Sequence, residues 1–154
     1  MLKILLVCTG NTCRSPMASV LLENIWSKRL PEKEIKIKSA GLFTGDGLPA
    51  SSEAIEVMQE YGLDLSNHKS RQITEDLVKE ADIILTMTNS HLFAMLEMFP
   101  DYAPIIFTIS EYINHDGEVE DPYGRGIEAY HTTAQELAFI VNELIDTLLK
   151  EWGE

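Results

Sequence analysis

Cys8 and Arg14 stand six positions apart in Cys8-Thr9-Gly10-Asn11-Thr12-Cys13-Arg14-Ser15-Pro16, a spacing that suits capture and attack of a phosphoryl group. Arg14 can offer a two-pronged fork to two oxygens of a phosphate-like anion. The intervening Thr9, Gly10, Asn11, Thr12 and Cys13 supply backbone N–H groups that can point inward at the same anion. A thiol in so positive a field favours its thiolate form, which is the nucleophile. A bound phosphoryl group would rest on the Cys8 sulfur. A lone cysteine after an apolar run is ordinarily a small core residue, and an arginine near a helix start is ordinarily a surface charge. Neither explains the whole run of strand, cysteine, loop, arginine, serine and proline. Transfer to sulfur leaves the departing atom needing a proton, and the thiophosphoryl-cysteine then needs an activated water. One carboxyl group can do both jobs in turn. Asp121, followed by Pro122 and Tyr123, is the candidate; read alone, the Asp-Pro pair is equally an ordinary turn.

These groups need a scaffold, and the local patterning supplies one. Ile4-Leu5-Leu6-Val7 is an apolar run too short for a helix and right for a buried strand ending at Cys8. Ser15 and Pro16 read as the N-cap and first residue of a helix, whose dipole adds to the anion site. Ala18, Leu21, Leu22, Ile25 and Trp26 carry that helix to about Arg29. Ile35 to Ser39 alternates strictly, a half-buried strand near a sheet edge. Pro49 opens a second helix, which runs to a cap at Gly62. The stretch from Leu63 to Ile73 is polar and irregular, and a short helix follows from Thr74. Asp82 to Thr86 is apolar on both faces and reads as a central strand. Asn89 caps a further helix ending near Pro100, and Ile105 to Phe107 is a fourth strand. An acidic loop from Ser110 to Gly126 carries Asp121, and a long helix runs from Ile127 to Lys150.

Strands alternating with helices predict an α/β fold: one four-stranded parallel sheet, order 2-1-3-4, with helices on both faces. Ligands in such sheets lie at strand carboxyl ends near the reversal of order. Cys8 ends the first strand, at that reversal.

The 154 residues fit a single domain, 1–154, with enough chain for a core without metal or disulfide staples. No run is long and apolar enough for a membrane span, and no basic-then-apolar leader precedes the first strand. Cys8 and Cys13 are too few for a disulfide framework and read as cytoplasmic thiols. No zinc-like spacing appears, so no metal or other cofactor is expected. The net charge of −13 argues against nucleic-acid partners.

The segment CTGNTCRSPMA resembles the low-molecular-weight protein tyrosine phosphatase family, and the resemblance extends over nearly the whole chain. It implies Cys8 as nucleophile, Arg14 as phosphate ligand, and Asp121-Pro122-Tyr123 as the family's general acid and base segment. Asn11, Ser39 and His68 resemble the hydrogen-bonded trio that supports the phosphate loop. Ser15 resembles the hydroxyl that donates to the cysteine thiolate. Thr12, in place of a bulky aliphatic residue, resembles the protein-arginine phosphatase branch of Gram-positive bacteria, where it limits the pocket's depth and helps position the hydrolytic water. Tyr123 stands where that branch often has Phe. The implied substrates are phosphoarginine proteins, with phosphate as product; phosphotyrosine is the alternative.

Arsenate reductases share the motif but need two further cysteines downstream, which this chain lacks. A phosphocysteine carrier would not need Arg14 and Asp121, and a Walker-type nucleotide loop is absent. A binding module with dead catalysis would not need all three of Cys8, Arg14 and Asp121 intact. Cys13 could form a reversible disulfide with Cys8 under peroxide if the loop brings their Cα atoms within roughly 7 Å.

Overall fold

The computed structural model describes residues 1–153. The chain runs β1 (Leu2–Cys8), α1 (Arg14–Arg29), β2 (Ile35–Gly41), α2 (Ser52–Glu60), α3 (Glu75–Glu80) and β3 (Ile83–Thr86). It continues through α4 (Asn89–Met98), a 3-10 turn over Pro100–Ile105, β4 (Ile106–Thr108), α5 (Ile109–Tyr112) and α6 (Ile127–Trp152). All pairings are parallel, and the sheet order is β2-β1-β3-β4, as expected.

β1 shows why its apolar run is continuous. Alternate residues of a strand face opposite sides of a sheet, and both sides here are covered. Ile4 and Leu6 enter a core with Met17, Leu21 and Leu22 of α1, Val57 of α2 and Leu137 of α6. Leu5 and Val7 enter a second core with Val78 of α3 and Met95 of α4. Each of the four β1 residues is at most 2% exposed, worth roughly 1.5–3 kcal/mol apiece in transfer free energy. That rigid strand carries Cys8 to the sheet's carboxyl edge. On α6, Tyr130, Ala134, Leu137, Val141, Leu144 and Leu148 form one buried stripe at helical spacing. Among the described residues no helix is long and apolar enough to cross a membrane.

Several boundaries move, each for a local reason. α1 begins at Arg14, with Cys13 at the N-cap and no side-chain cap, so Ser15 is not the capping residue expected. Its hydroxyl is instead engaged by Cys8 and Asn11. α2 starts after Ser51, whose hydroxyl accepts from the Ala54 N–H at 3.3 Å, rather than at Pro49. Thr88, one residue before Asn89, caps α4 by accepting from the His91 N–H at 3.2 Å. β2 continues to Gly41 because it pairs with β1 along its whole length. Ile105 belongs to the 3-10 turn, which delays β4 by one residue. The acidic loop is helical at its start, where Thr108 caps α5.

The polar stretch after α2 has a structural role that its composition does not reveal. Gly41 N–H donates to the Arg71 carbonyl at 2.9 Å, and Ile73 N–H donates to the Gly41 carbonyl at 2.9 Å. The stretch therefore lies against the exit of β2 and delivers His68 and Arg71 to the loop after β1. Gly41 is needed at this crossing: a Cβ there would lie 2.7 Å from the Thr9 carbonyl oxygen and 3.0 Å from the Gly10 carbonyl carbon.

Candidate active site

The loop between β1 and α1 is built around Asn11. Its φ of +57° lies in the left-handed region, which asparagine tolerates better than most residues. The side chain is fully buried, and both its N–H donors and its oxygen are engaged. Asn11 Nδ2 donates to Ser15 Oγ and to Ser39 Oγ, each at 2.9 Å, and Arg71 N–H donates to Asn11 Oδ1 at 2.9 Å. His68 Nε2 lies 2.7 Å from the Asn11 carbonyl oxygen, so it must be the donor. Burial lowers the His68 pKa, with the Arg71 charge adding to that effect and the Asn11 carbonyl opposing it. Asn11, Ser39 and His68 thus come together in one hydrogen-bonded group. Arg71 is an additional member that polar composition alone did not single out.

With its own oxygen accepting from Asn11, Ser15 has its proton free for Cys8 Sγ, 2.9 Å away. That hydroxyl can stabilise a thiolate. Both cysteines are free and buried. Cys13 Sγ lies 3.2 Å from the Tyr130 hydroxyl and 3.5 Å from Ser51 Oγ. Burial raises the Tyr130 pKa and keeps that phenol protonated, with the Cys13 contact acting in the same direction.

Among the described residues, no protein acceptor takes the backbone N–H groups of Gly10, Asn11, Thr12, Cys13 or Arg14. Such a run of unpaired donors, ending at a helix N-terminus, is an anion cradle. Arg14 completes it. Its guanidinium is held from two sides, by Nη1 donating to the Val119 carbonyl at 3.1 Å and Nη2 to Thr9 Oγ1 at 3.4 Å. Nη2 also lies 3.7 Å from Asp121 Oδ2. The arginine is 4% exposed, and an isolated charge so buried would be costly; the carbonyl, the hydroxyl and the carboxylate offset that cost.

Asp121 is placed by its own turn and by the segment before it. Its Oδ1 accepts from the Tyr123 N–H at 3.1 Å, leaving Oδ2 toward the guanidinium. Val119 N–H donates to the Met87 carbonyl at 3.1 Å, tying the loop to the end of β3. Glu118 accepts from the Asn89 N–H at the start of α4, where the dipole favours a carboxylate. Tyr123 is largely exposed beside the Asp121 carboxylate.

Cys8, Thr9, Gly10, Thr12, Cys13, Arg14, Asp121 and Tyr123 line one open cleft of about 750 Å³. Phe43 and Leu48, both exposed, complete its rim. Sequence reasoning missed these two because they lie in loops without a motif. It also missed the Val119 carbonyl, since a main-chain atom leaves no mark in residue identity. His91 was missed as well: its side chain is buried against Thr9, while its position in α4 reads as an ordinary surface-helix residue.

A thiol with a hydroxyl donor, a rigid cradle of N–H groups, a buried guanidinium and a carboxylate across the cleft can together bind a phosphoryl group, accept it on sulfur and pass a proton. Known proteins share this architecture. Residues 3–153 match the low molecular weight phosphotyrosine protein phosphatase family. The chain is 39% identical over 150 residues to a protein-arginine-phosphatase of Geobacillus stearothermophilus, covering 97% of each chain. A solved low molecular weight protein tyrosine phosphatase from T. tengcongensis is 47% identical, with a TM-score of 0.89, over 95% of this chain and 99% of that one. A solved YwlE arginine phosphatase mutant with a phosphorylated active-site serine is 36% identical, with a TM-score of 0.93, over 98% of both chains. The chain belongs to the low-molecular-weight phosphotyrosine protein phosphatase family.

Proposed function

We propose that this protein removes phosphoryl groups from phosphoarginine side chains of proteins, working as one catalytic domain over residues 1–154. Cys8 attacks phosphorus; the S–P bond forms as the P–N bond breaks, and Asp121 gives its proton to the departing guanidine nitrogen. The Asp121 carboxylate then takes a proton from water. That water attacks phosphorus, inorganic phosphate leaves, and Cys8 departs as a thiolate stabilised by Ser15. Arg14 and the N–H groups from Gly10 to Arg14 hold the equatorial oxygens throughout. Each step uses side chains, backbone N–H groups and water. A cytoplasmic setting fits the two free thiols.

The observation that carries the choice of substrate is Thr12 in the lining of the cleft that Asp121 also lines. A guanidinium is planar, positively charged and rich in N–H donors. Its N–H donors can reach the Asp121 oxygen that does not carry the transferred proton, and its plane can lie on the exposed Tyr123 ring. A phenyl ring has no N–H to give that oxygen. The alternative, phosphotyrosine, draws support from the exposed Phe43 and Tyr123 rings on the rim, which would flank a phenyl group.

Steady-state assays on matched phosphoarginine and phosphotyrosine peptides decide between them. A kcat/KM ratio of about ten or more in favour of phosphoarginine, about 1.4 kcal/mol of transition-state preference, is expected. Thr12→Ile should erode that ratio by a similar factor. A wild-type preference for phosphotyrosine would overturn the assignment and leave the parent activity. The proposal extends to redox protection. With peroxide as oxidant, the Cys8 and Cys13 thiols lose two electrons and two protons to form a disulfide and water, which requires Cys13 to leave the Tyr130 hydroxyl. Mass spectrometry of treated protein should find that disulfide; sulfinic acid at Cys8 alone would refute it.

A further inference from the structure

Thr9 is the point at which a second histidine meets the phosphate cradle. His91 is 5% exposed, and its Nε2 lies 2.8 Å from Thr9 Oγ1. The same Thr9 oxygen accepts from Arg14 Nη2 at 3.4 Å. His91 Nδ1 is buried and has no hydrogen-bond partner among the described residues. The backbone of His91 is fixed by the Thr88 cap at the start of α4.

A hydroxyl has two lone pairs and one proton, and a guanidinium only donates. Arg14 therefore occupies one lone pair of Thr9. If His91 accepted the Thr9 proton at Nε2, its own proton would sit on Nδ1, a buried donor with no acceptor. If Nε2–H instead donates to the second lone pair, Nδ1 is a bare acceptor. Orphaned buried N–H groups are the rarer and costlier of the two. An imidazolium would orphan Nδ1–H as well and set a second cation beside Arg14. The Nε2–H arrangement also leaves the Thr9 proton free to turn into the cleft, which Thr9 lines.

We propose that His91 is a positioning residue for phosphoryl binding: by donating to Thr9 Oγ1 it aims the Thr9 hydroxyl at the bound phosphoryl group and fixes the oxygen on which Arg14 leans. The inference rests on the phosphatase reading and deepens it. The ring is neutral at physiological pH. Burial holds its pKa down to about 4, with the Arg14 charge adding to the effect, while Asp121 and Glu118 in the loop before α6 pull weakly the other way.

The test is direct binding of inorganic phosphate to the full chain by calorimetry, with wild type, His91→Leu, His91→Gln, Thr9→Val and the Thr9→Val/His91→Leu double variant. The ring's tautomer in the wild type is read separately by 15N NMR. His91→Leu should weaken phosphate binding about tenfold, and His91→Gln, which can place an N–H near the Nε2 position, should recover most of it. The double variant should bind no more weakly than Thr9→Val alone, because both changes remove one relay. The wild-type spectrum should show a neutral Nε2–H ring at pH 7. Additive losses in the double variant, or a Nδ1–H ring, would overturn the inference, and the spectrum decides the matter even if His91→Leu fails to fold. Coupling without turnover of any phosphopeptide would sink the phosphatase reading alone; turnover without coupling would sink this inference alone.

Discussion

Cys8→Ser should reduce turnover of phosphoarginine peptides to the level of the blank, a loss of roughly 10^4- to 10^6-fold, the scale on which hydrolases lose rate with their nucleophile. The replacement is one atom, and the environment argues that the atom is what matters. Cys8 is 2% exposed, with Ser15 Oγ 2.9 Å from its sulfur. The cradle's N–H groups and Arg14 are placed to hold a phosphoryl group against that sulfur. A serine hydroxyl in its place is a far weaker nucleophile. Arg14, held by the Val119 carbonyl and Thr9, does not depend on the sulfur for its position. Phosphate should therefore still bind the variant with little change in affinity. Titration with phosphate beside the kinetic assay separates the two effects. Retention of turnover within about tenfold of wild type would mean that sulfur is not the nucleophile.

Asp121→Asn should lower kcat for phosphoarginine by roughly 10^2- to 10^4-fold, the range for losing a positioned acid and base. Asparagine keeps an oxygen for the Tyr123 N–H, which Asp121 Oδ1 accepts at 3.1 Å, so the turn should survive. The side chain is 51% exposed, and its contact with Arg14 is long at 3.7 Å, so little change in Tm is expected. The diagnostic is the dependence on leaving group. An aryl phosphate with an acidic phenol departs without a proton, so its first step should be nearly spared. Water activation in the second step is still lost, and the thiophosphoryl enzyme should accumulate as a burst of phenol. Phosphoarginine needs the proton to leave and should show no burst. Equal losses on both substrates, without a burst, would remove Asp121 from the acid role.

The layout of the fold was legible in the amino-acid sequence because its signals are local. Ile4 to Val7 could only be buried on two faces, and the alternation of strands with helices left few topologies for a parallel sheet. The sheet order and the position of Cys8 at its carboxyl edge follow from that. Cys8, Arg14 and Asp121, the proposed nucleophile, phosphate ligand and acid, stood out too, since thiol, guanidinium and Asp-Pro chemistry is carried by residue type and spacing. Element ends were less so. Ser15 reads as a helix cap from its neighbours, yet its hydroxyl serves Cys8 and Asn11, because a tertiary partner outcompeted the local one. The same holds for the stretch around His68 and Arg71, whose polar composition predicts only a loop. Pairing with Gly41 turns it into the brace of the cradle.

What the sequence by itself determined was the sheet, its order and the choice of Cys8, Arg14 and Asp121 as the three groups proposed to move a phosphoryl group. Only the tertiary structure decided how those groups are held. The Val119 carbonyl on Arg14, the His91 ring on Thr9 and the Arg71 N–H on Asn11 join positions 105, 82 and 60 residues apart. Contacts at such separations leave no periodic trace, and two of the three use main-chain atoms that every residue possesses.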